Sequence, residues 1–277
     1  MKINNKIFKT CMVALVFISL PRTVFAQKCD TIPDNEITTS VKMLGIGATN
    51  VLDTYISPEK YTGREIRFIS LVNKIKIGSR WSTMMINQGD VSYTKNRSSD
   101  GDEIAGMYNF AYGYHYNWTL CSGALRLQAG GLADLNIGFI YNTRSGNNPA
   151  QARCYLNITP SGSAEYDMHI HNRIYMLRYS LQLPLVGVMF SPNYGQSYYE
   201  IFSKGNYDHN IVPTTFMSTP SFRQMLTVDF NICHTTLRVG YLGDYQQSKV
   251  NNLKTHIYTN SIVIGVVKRF QIFRIRR

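Results

Sequence analysis

The chain has 277 residues and a formal net charge of +12, with 12% aromatic and only 17% charged residues. Beyond the first 26 residues no stretch is apolar for the roughly 20 residues that a spanning helix needs, so any membrane crossing must be made by strands. The basic excess carries no stripe of basic and aromatic residues, which argues against a nucleic-acid partner. An anionic lipid or lipopolysaccharide surface is the more natural counter-charge.

Residues 1–26 read as a secretory signal peptide: Lys2, Lys6 and Lys9 precede an apolar run from Cys11 to Leu20, and Val24-Phe25-Ala26 precedes the expected cut. That segment also holds Arg22 and no acidic residue, so its removal takes the net charge from +12 to +8. Cys29 lies close behind, but the Lys28 beside it is a poor match to lipoprotein processing. Cys29, Cys121, Cys154 and Cys233 would remain after cleavage. Four cysteines in an oxidising compartment allow three pairings, and free thiols buried against neighbours are the alternative. Residues 27–40 are expected to form a periplasmic segment and residues 41–277 a barrel.

Alternation with period two dominates the rest. From Ile104 to Trp118 one face carries Tyr108, Phe110, Tyr112, Tyr114, Tyr116 and Trp118, and the other Ala105, Asn109, Ala111, Gly113, His115 and Asn117. Gly123–Asn142, Tyr175–Leu183, Phe222–Ile232 and Thr236–Gln246 repeat the pattern. An oily face opposite a small or polar one suits a barrel wall, apolar outside and polar within. A soluble sandwich also alternates, but its wet face would be richer in Lys and Glu.

Connection lengths point the same way, because outer-membrane barrels alternate short periplasmic turns with longer external loops. Short turns are expected at 78–80, 121–122, 171–173 and 233–235, and long loops at 95–102, 143–151, 191–221 and 247–255. The predicted architecture is an all-β, antiparallel transmembrane barrel of about ten strands: 41–56, 62–77, 81–95, 104–118, 123–142, 152–171, 174–190, 222–232, 236–246 and 256–270. Both chain ends then lie in the periplasm. Pro160 and Pro184 fall inside two of these spans, where proline is tolerated mainly at edges or bulges. Splitting that region, with Ser197–Phe202 as an added strand, gives twelve. The last strand aligns Tyr258, Ile262, Ile264, Val266 and Phe270 against Gly265, the kind of closing strand that barrel assembly machinery reads, although Lys268 and a basic tail depart from the pattern.

The segments Asn50-Val51-Leu52-Asp53-Thr54-Tyr55, Gly146-Asn147-Asn148-Pro149-Ala150-Gln151 and Phe190-Ser191-Pro192-Asn193-Tyr194-Gly195-Gln196-Ser197-Tyr198-Tyr199-Glu200 resemble the uncharacterised Bacteroidetes outer-membrane family named domain of unknown function 3316. The resemblance implies an outer-membrane setting and supplies no activity and no functional residue.

Candidate sites follow from the faces. His115, Arg126, Asp134, Arg178, Asp229, Arg238 and Asp244 are expected to face the lumen, either to select solutes or to fill it with ion pairs. Tyr194, Gln196, Tyr198, Tyr199 and Glu200 lie in the longest loop and are candidates for binding, since loops of that length often carry function. His169 and His171 share a strand face, but no third ligand has recognisable spacing, so neither a metal nor a cofactor is expected. A serine hydrolase would need a serine, a histidine base and an orienting group. His115, His209, His234 and His256 are candidate bases, yet no Gly-x-Ser-x-Gly elbow occurs. The sequence therefore points to an outer-membrane barrel acting as a narrow channel or as a binding or structural surface protein. Its partners would be outer-membrane lipid, lipopolysaccharide, the assembly machinery and a possible small solute. A lipid-modifying enzyme and a soluble periplasmic β-protein are the alternatives.

Overall fold

The computed structural model describes residues 36–272 except 147, 172 and 234. The expected signal peptide, Cys29, most of the segment 27–40, His234 and the tail after residue 272 lie outside the described residues. The elements are β1 Glu36–Asp53, β2 Ser57–Lys76, β3 Trp81–Lys95, β4 Asp102–Leu120, β5 Leu125–Asn142, β6 Ala150–Ile170, β7 Arg173–Gln182, β8 Val186–Phe190, α1 Tyr198–Phe202, β9 Ile211–Thr215, β10 Phe222–Ile232, β11 Thr235–Val250 and β12 Leu253–Ile272.

Each strand pairs antiparallel with its neighbours, and the sheet closes where β1 meets β12, from Glu36 opposite Ile272 to Asp53 opposite Thr255. The ring runs β1 to β7, then β10, β11, β12 and back to β1, giving a ten-strand barrel. Closure gives each of the ten wall strands a hydrogen-bonded partner on both sides, as a chain crossing lipid requires. β1 starts at Glu36, five residues before the expected Val41, because its ladder continues to the end of β12.

β8 and β9 are outgrowths of the wall rather than additional barrel strands. β6 pairs with β7 over Ser161–Ile170 and with β8 over Cys154–Ile158. Pro184 lies in the break between β7 and β8, and Pro160 lies on β6 where the partner changes; Leu183 N–H donates to Pro160 O at 3.0 Å. The two prolines thus meet at one interruption of the ladder, where missing N–H groups cost least. The expected strand 174–190 is therefore two pieces. Ser197–Phe202 forms no strand: it contains the helix α1, entered through a capping box in which Ser197 and Glu200 bond each other's backbone.

The alternation sorts as expected outside. Leu44, Ile46, Ile66, Phe68, Ile137 and Leu226 are exposed on the outer wall, and Ile262 is 71% exposed. Trp81 packs edge to face on Tyr116, which tilts against Trp118, near one rim, while Phe222, Tyr245 and Tyr258 cluster towards the other. An apolar band this continuous is stable only against lipid, and aromatic girdles mark its limits. Lys268 also faces outward, two residues before Phe270 on the same face, where a long side chain reaches the water layer.

Inside, the expectation of a uniformly wet face is corrected. Val41, Met43, Ile69, Leu71, Met84, Ile86, Leu132, Met225, Leu242 and Val263 point inward and form one buried apolar cluster. A ten-strand barrel is narrow enough for side chains to fill, and apolar ones fill it without needing partners. Gly113 on β4 faces inward where a Cβ would stand 1.9 Å from Gly131 O, so the close strand approach requires glycine.

The rim with the chain ends carries the tight turns, and the opposite rim carries the loops. One expected long loop is absent: 247–255 belongs to β11 and β12, joined by Asn251-Asn252 with φ of 52° and 60°. Asparagine tolerates the left-handed region, so this pair makes a two-residue hairpin turn. Cys121, Cys154 and Cys233 are free and exposed, so the alternative of buried thiols fails and no disulfide joins these three.

Candidate functional site

All seven lumen candidates face inward, in a filled interior. Nearest the turn rim, Arg126 holds Asp167 with both Nη atoms at 2.9 Å and Glu165 through Nε at 3.2 Å, while Arg178 pairs with the same Glu165 at 2.5 Å. Arg238 makes a bidentate pair with Asp229 at 2.6 and 2.7 Å. Such forked pairs are the strong form of carboxylate recognition. Above them lies the apolar cluster.

His115 reaches across to β6, with Nε2 2.5 Å from Ser161 Oγ. They line a small cavity together with Gln128 and Arg178. The fold thus joins a serine and a histidine that no sequence spacing connected. His115 Nδ1 is buried without a hydrogen-bond partner, so the orienting group of a triad is missing.

In the next storey Asp244 and Asp134 were expected from the sequence, but Arg67, Glu65, Asp90 and Arg223 were missed. Arg67, 2% exposed, contacts Glu65 at 2.7 Å, Asp244 at 2.6 Å and Asp90 at 3.3 Å. Asp244 also accepts from Arg223 at 3.1 Å, and Arg223 reaches Asn109 at 3.4 Å. Asn109 in turn donates to Asp134. Because β10 and β4 are on opposite sides of the ring, this chain of contacts bridges the lumen. The signal for it was the alternation Glu65, Arg67, Ile69, Leu71 on β2.

A cleft lies towards the loop rim, lined by Asp134, Arg153, Tyr155, Arg223, Asp244 and Gln246 among others. Tyr155 Oη donates to Gln246 Oε1 at 2.6 Å, and Arg153 Nη2 donates to the same oxygen at 3.2 Å.

The loop after β8 crosses the mouth. Tyr198 accepts from Ala152 N at 2.7 Å, donates to Gln151 at 3.1 Å and packs edge-on against Tyr55 at 5.8 Å. Ala152 is on β6 and Tyr55 follows β1, on the far side of the ring, so this side chain touches both walls. Asn251 Nδ2 ties the loop to the β11–β12 hairpin through Ser191 O at 3.1 Å and His209 O at 2.9 Å.

Three of the five loop candidates are thereby structural. Gln196 is buried and accepts from Asn193 N at 3.0 Å and Asn210 at 2.8 Å. Tyr198 is the strut, and Glu200 completes the helix cap. Tyr194 and Tyr199 remain exposed. Hydrogen bonds from the Ser197 backbone and hydroxyl hold the Glu200 carboxyl below its ordinary pKa. Burial, with the Asp53 and Glu200 carboxylates nearby, pushes the Tyr55 phenol up to about 12, and burial raises Tyr198 further. His169 and His171 are exposed at a turn-rim hairpin, His209 is exposed in the loop, and His256 bonds Asn50 at 2.9 Å.

The sequence family described as "Protein of unknown function (DUF3316)" matches residues 11–277. No curated protein matches the chain. Among solved structures, the transport unit of the autotransporter AIDA-I from Escherichia coli is similar at 8% identity and a TM-score of 0.49, covering 97% of each chain. The outer membrane protease OmpT from Escherichia coli is similar at 7% identity and a TM-score of 0.45, over 88% of this chain and 99% of that one. The translocator domain of the autotransporter NalP from Neisseria meningitidis follows at 9% identity and 0.40, over 96% of each.

Proposed function

We propose that this chain, which belongs to the DUF3316 family of proteins of unknown function, is an outer-membrane barrel that binds a small solute in its outer half and does not conduct ions. The bridged lumen carries this reading. The apolar cluster, the Arg67–Asp244–Arg223–Asn109 chain and the Tyr198 strut each connect or fill the space between opposite walls. Ions crossing such a path would have to strip water against apolar side chains and break buried ion pairs. The exposed outer band favours lipid as the surrounding medium over a soluble periplasmic existence. In this setting the short turns and both chain ends face the periplasm, lipid and lipopolysaccharide are the surrounding partners, and the assembly machinery inserts the chain.

The test is a planar-bilayer recording of purified protein whose folding is verified by heat-modifiable migration. No conductance steps above the protein-free bilayer are expected. Reproducible steps that scale with added protein would overturn the reading in favour of a channel.

A further inference from the structure

The cleft near the loop rim holds two buried charges of opposite sign without ionic partners. Arg153 is 6% exposed, yet no carboxylate among the described residues lies within ion-pair distance of it. Its Nε has no hydrogen-bond partner at all, and its guanidinium touches only the neutral Gln246 and the face of Tyr155, 5.7 Å from the ring centre. Asp53 on the facing wall acts on it only through space. Asp134 is 5% exposed and is held by the neutral Asn109 and Thr159, with no cation. Every other buried arginine in the lumen that is described above has its carboxylate. A buried charge left unmated is costly, so a matched pair of them lining one cleft points to a ligand that mates both.

Strand register fixes the spacing. On the β5–β6 ladder Asp134 is opposite Asn157 and Arg153 is opposite Gly138, four residues further along. At about 3.3 Å per residue the two backbones stand about 13 Å apart along the ladder. Asn136 and Tyr155 lie between and offer hydrogen bonds to a neutral, polar middle.

The lining of the cleft extends to the segment that joins β9 to β10. Phe222, Tyr245 and Gln247 line the cleft, although their strands turn these positions outward. Residues 216–221 join β9 to β10 on this side of the cleft. Backbone N–H groups of β11 pin this segment: Gln247 N donates to Ser221 Oγ at 3.0 Å and Lys249 N to Ser218 O at 2.9 Å.

We propose that this cleft binds a small zwitterion, with the carboxylate on Arg153 and the ammonium on Asp134, as an amino acid or the two ends of a short peptide would supply. The proposal rests on the reading of a binding, non-conducting barrel and names its ligand class. The experiment is calorimetric titration of the full chain in detergent micelles with dialanine, trialanine and single amino acids. N-acetyl dialanine and dialanine amide serve as blocked probes on the same wild-type protein. At least one unblocked probe is expected to bind, with each blocked form about tenfold or more weaker. The free amino acids and the peptides separate the two sources. Arg153→Gln is expected to abolish discrimination against the amide and Asp134→Asn discrimination against the acetylated form. Absence of binding by all unblocked probes, or blocked and unblocked forms binding alike, would overturn the proposal. Since conductance is measured separately, a conducting barrel would defeat the underlying reading while leaving the titration to stand or fall by itself.

Discussion

Arg67 offers the sharpest test of how the lumen is held together. Arg67→Met keeps the length and apolar stem of the side chain and removes the guanidinium that contacts Glu65, Asp90 and Asp244. Asp244 keeps Arg223, but Glu65 and Asp90 lose their arginine, leaving Glu65 with the Thr259 hydroxyl at 2.7 Å. At an effective dielectric constant near 20, one contact at about 4 Å contributes roughly 4 kcal/mol of Coulomb attraction. Desolvation offsets much of the sum, and removing one partner of a buried network costs about 3–5 kcal/mol. The assay is equilibrium urea unfolding in detergent micelles, followed by the fluorescence of Trp81 and Trp118. A second substitution, Asp90→Asn, should recover about 1–3 kcal/mol in the Arg67→Met background while destabilising the wild type, because the two sites are coupled. A loss below about 1 kcal/mol for Arg67→Met, or strict additivity of the pair, would refute the argument that this network is a buried, mutually dependent unit.

Gly113→Ala should destabilise the barrel by about 1–3 kcal/mol in the same unfolding assay, since its Cβ would meet backbone at Gly131. Ser197→Ala should weaken the start of α1 by about 0.5–2 kcal/mol, seen as faster proteolytic nicking between 191 and 210 with the barrel intact. The same loop should loosen in acid: the Glu200 carboxyl is depressed in the folded protein, so its contribution is complete above the ordinary glutamate pKa and is lost as pH falls through the lower, folded value. Nicking that rises on going alkaline would contradict this. Cys121 and Cys233, exposed on the turn rim, should react with a membrane-impermeant maleimide only after the outer membrane is permeabilised, whereas Ser98→Cys in the β3–β4 loop should react on intact cells. The reverse pattern would invert the orientation.

Much of the wall was legible because each strand carries its instructions locally. On β4 the run of Tyr and Trp at alternate positions could face only lipid, and His115, Asn109 and Gly113 followed to the inside by the strict two-residue period. All seven predicted lumen residues point inward for that reason. The same local logic failed where one residue pair overrode composition. Gln247–Thr255 is polar enough to suggest a loop, yet two asparagines able to take positive φ close it as a hairpin. The long loop was visible as a length, but its helix, and the roles of Gln196 and Tyr198 as hub and strut, depend on contacts with Asn210, Ala152 and Tyr55 from distant parts of the chain.

What the sequence determined by itself was the two-faced strand, repeated, and therefore a closed β wall with lipid outside. That follows from the period of the backbone and from the cost of leaving polar groups unpaired in hydrocarbon. It did not determine what meets across the lumen. Whether Arg153 and Asp134 are mated, whether His115 finds Ser161, and whether the interior is open or bridged all depend on strands separated by dozens to more than a hundred residues being brought face to face. Only closure of the ring, with its particular register, brings them together.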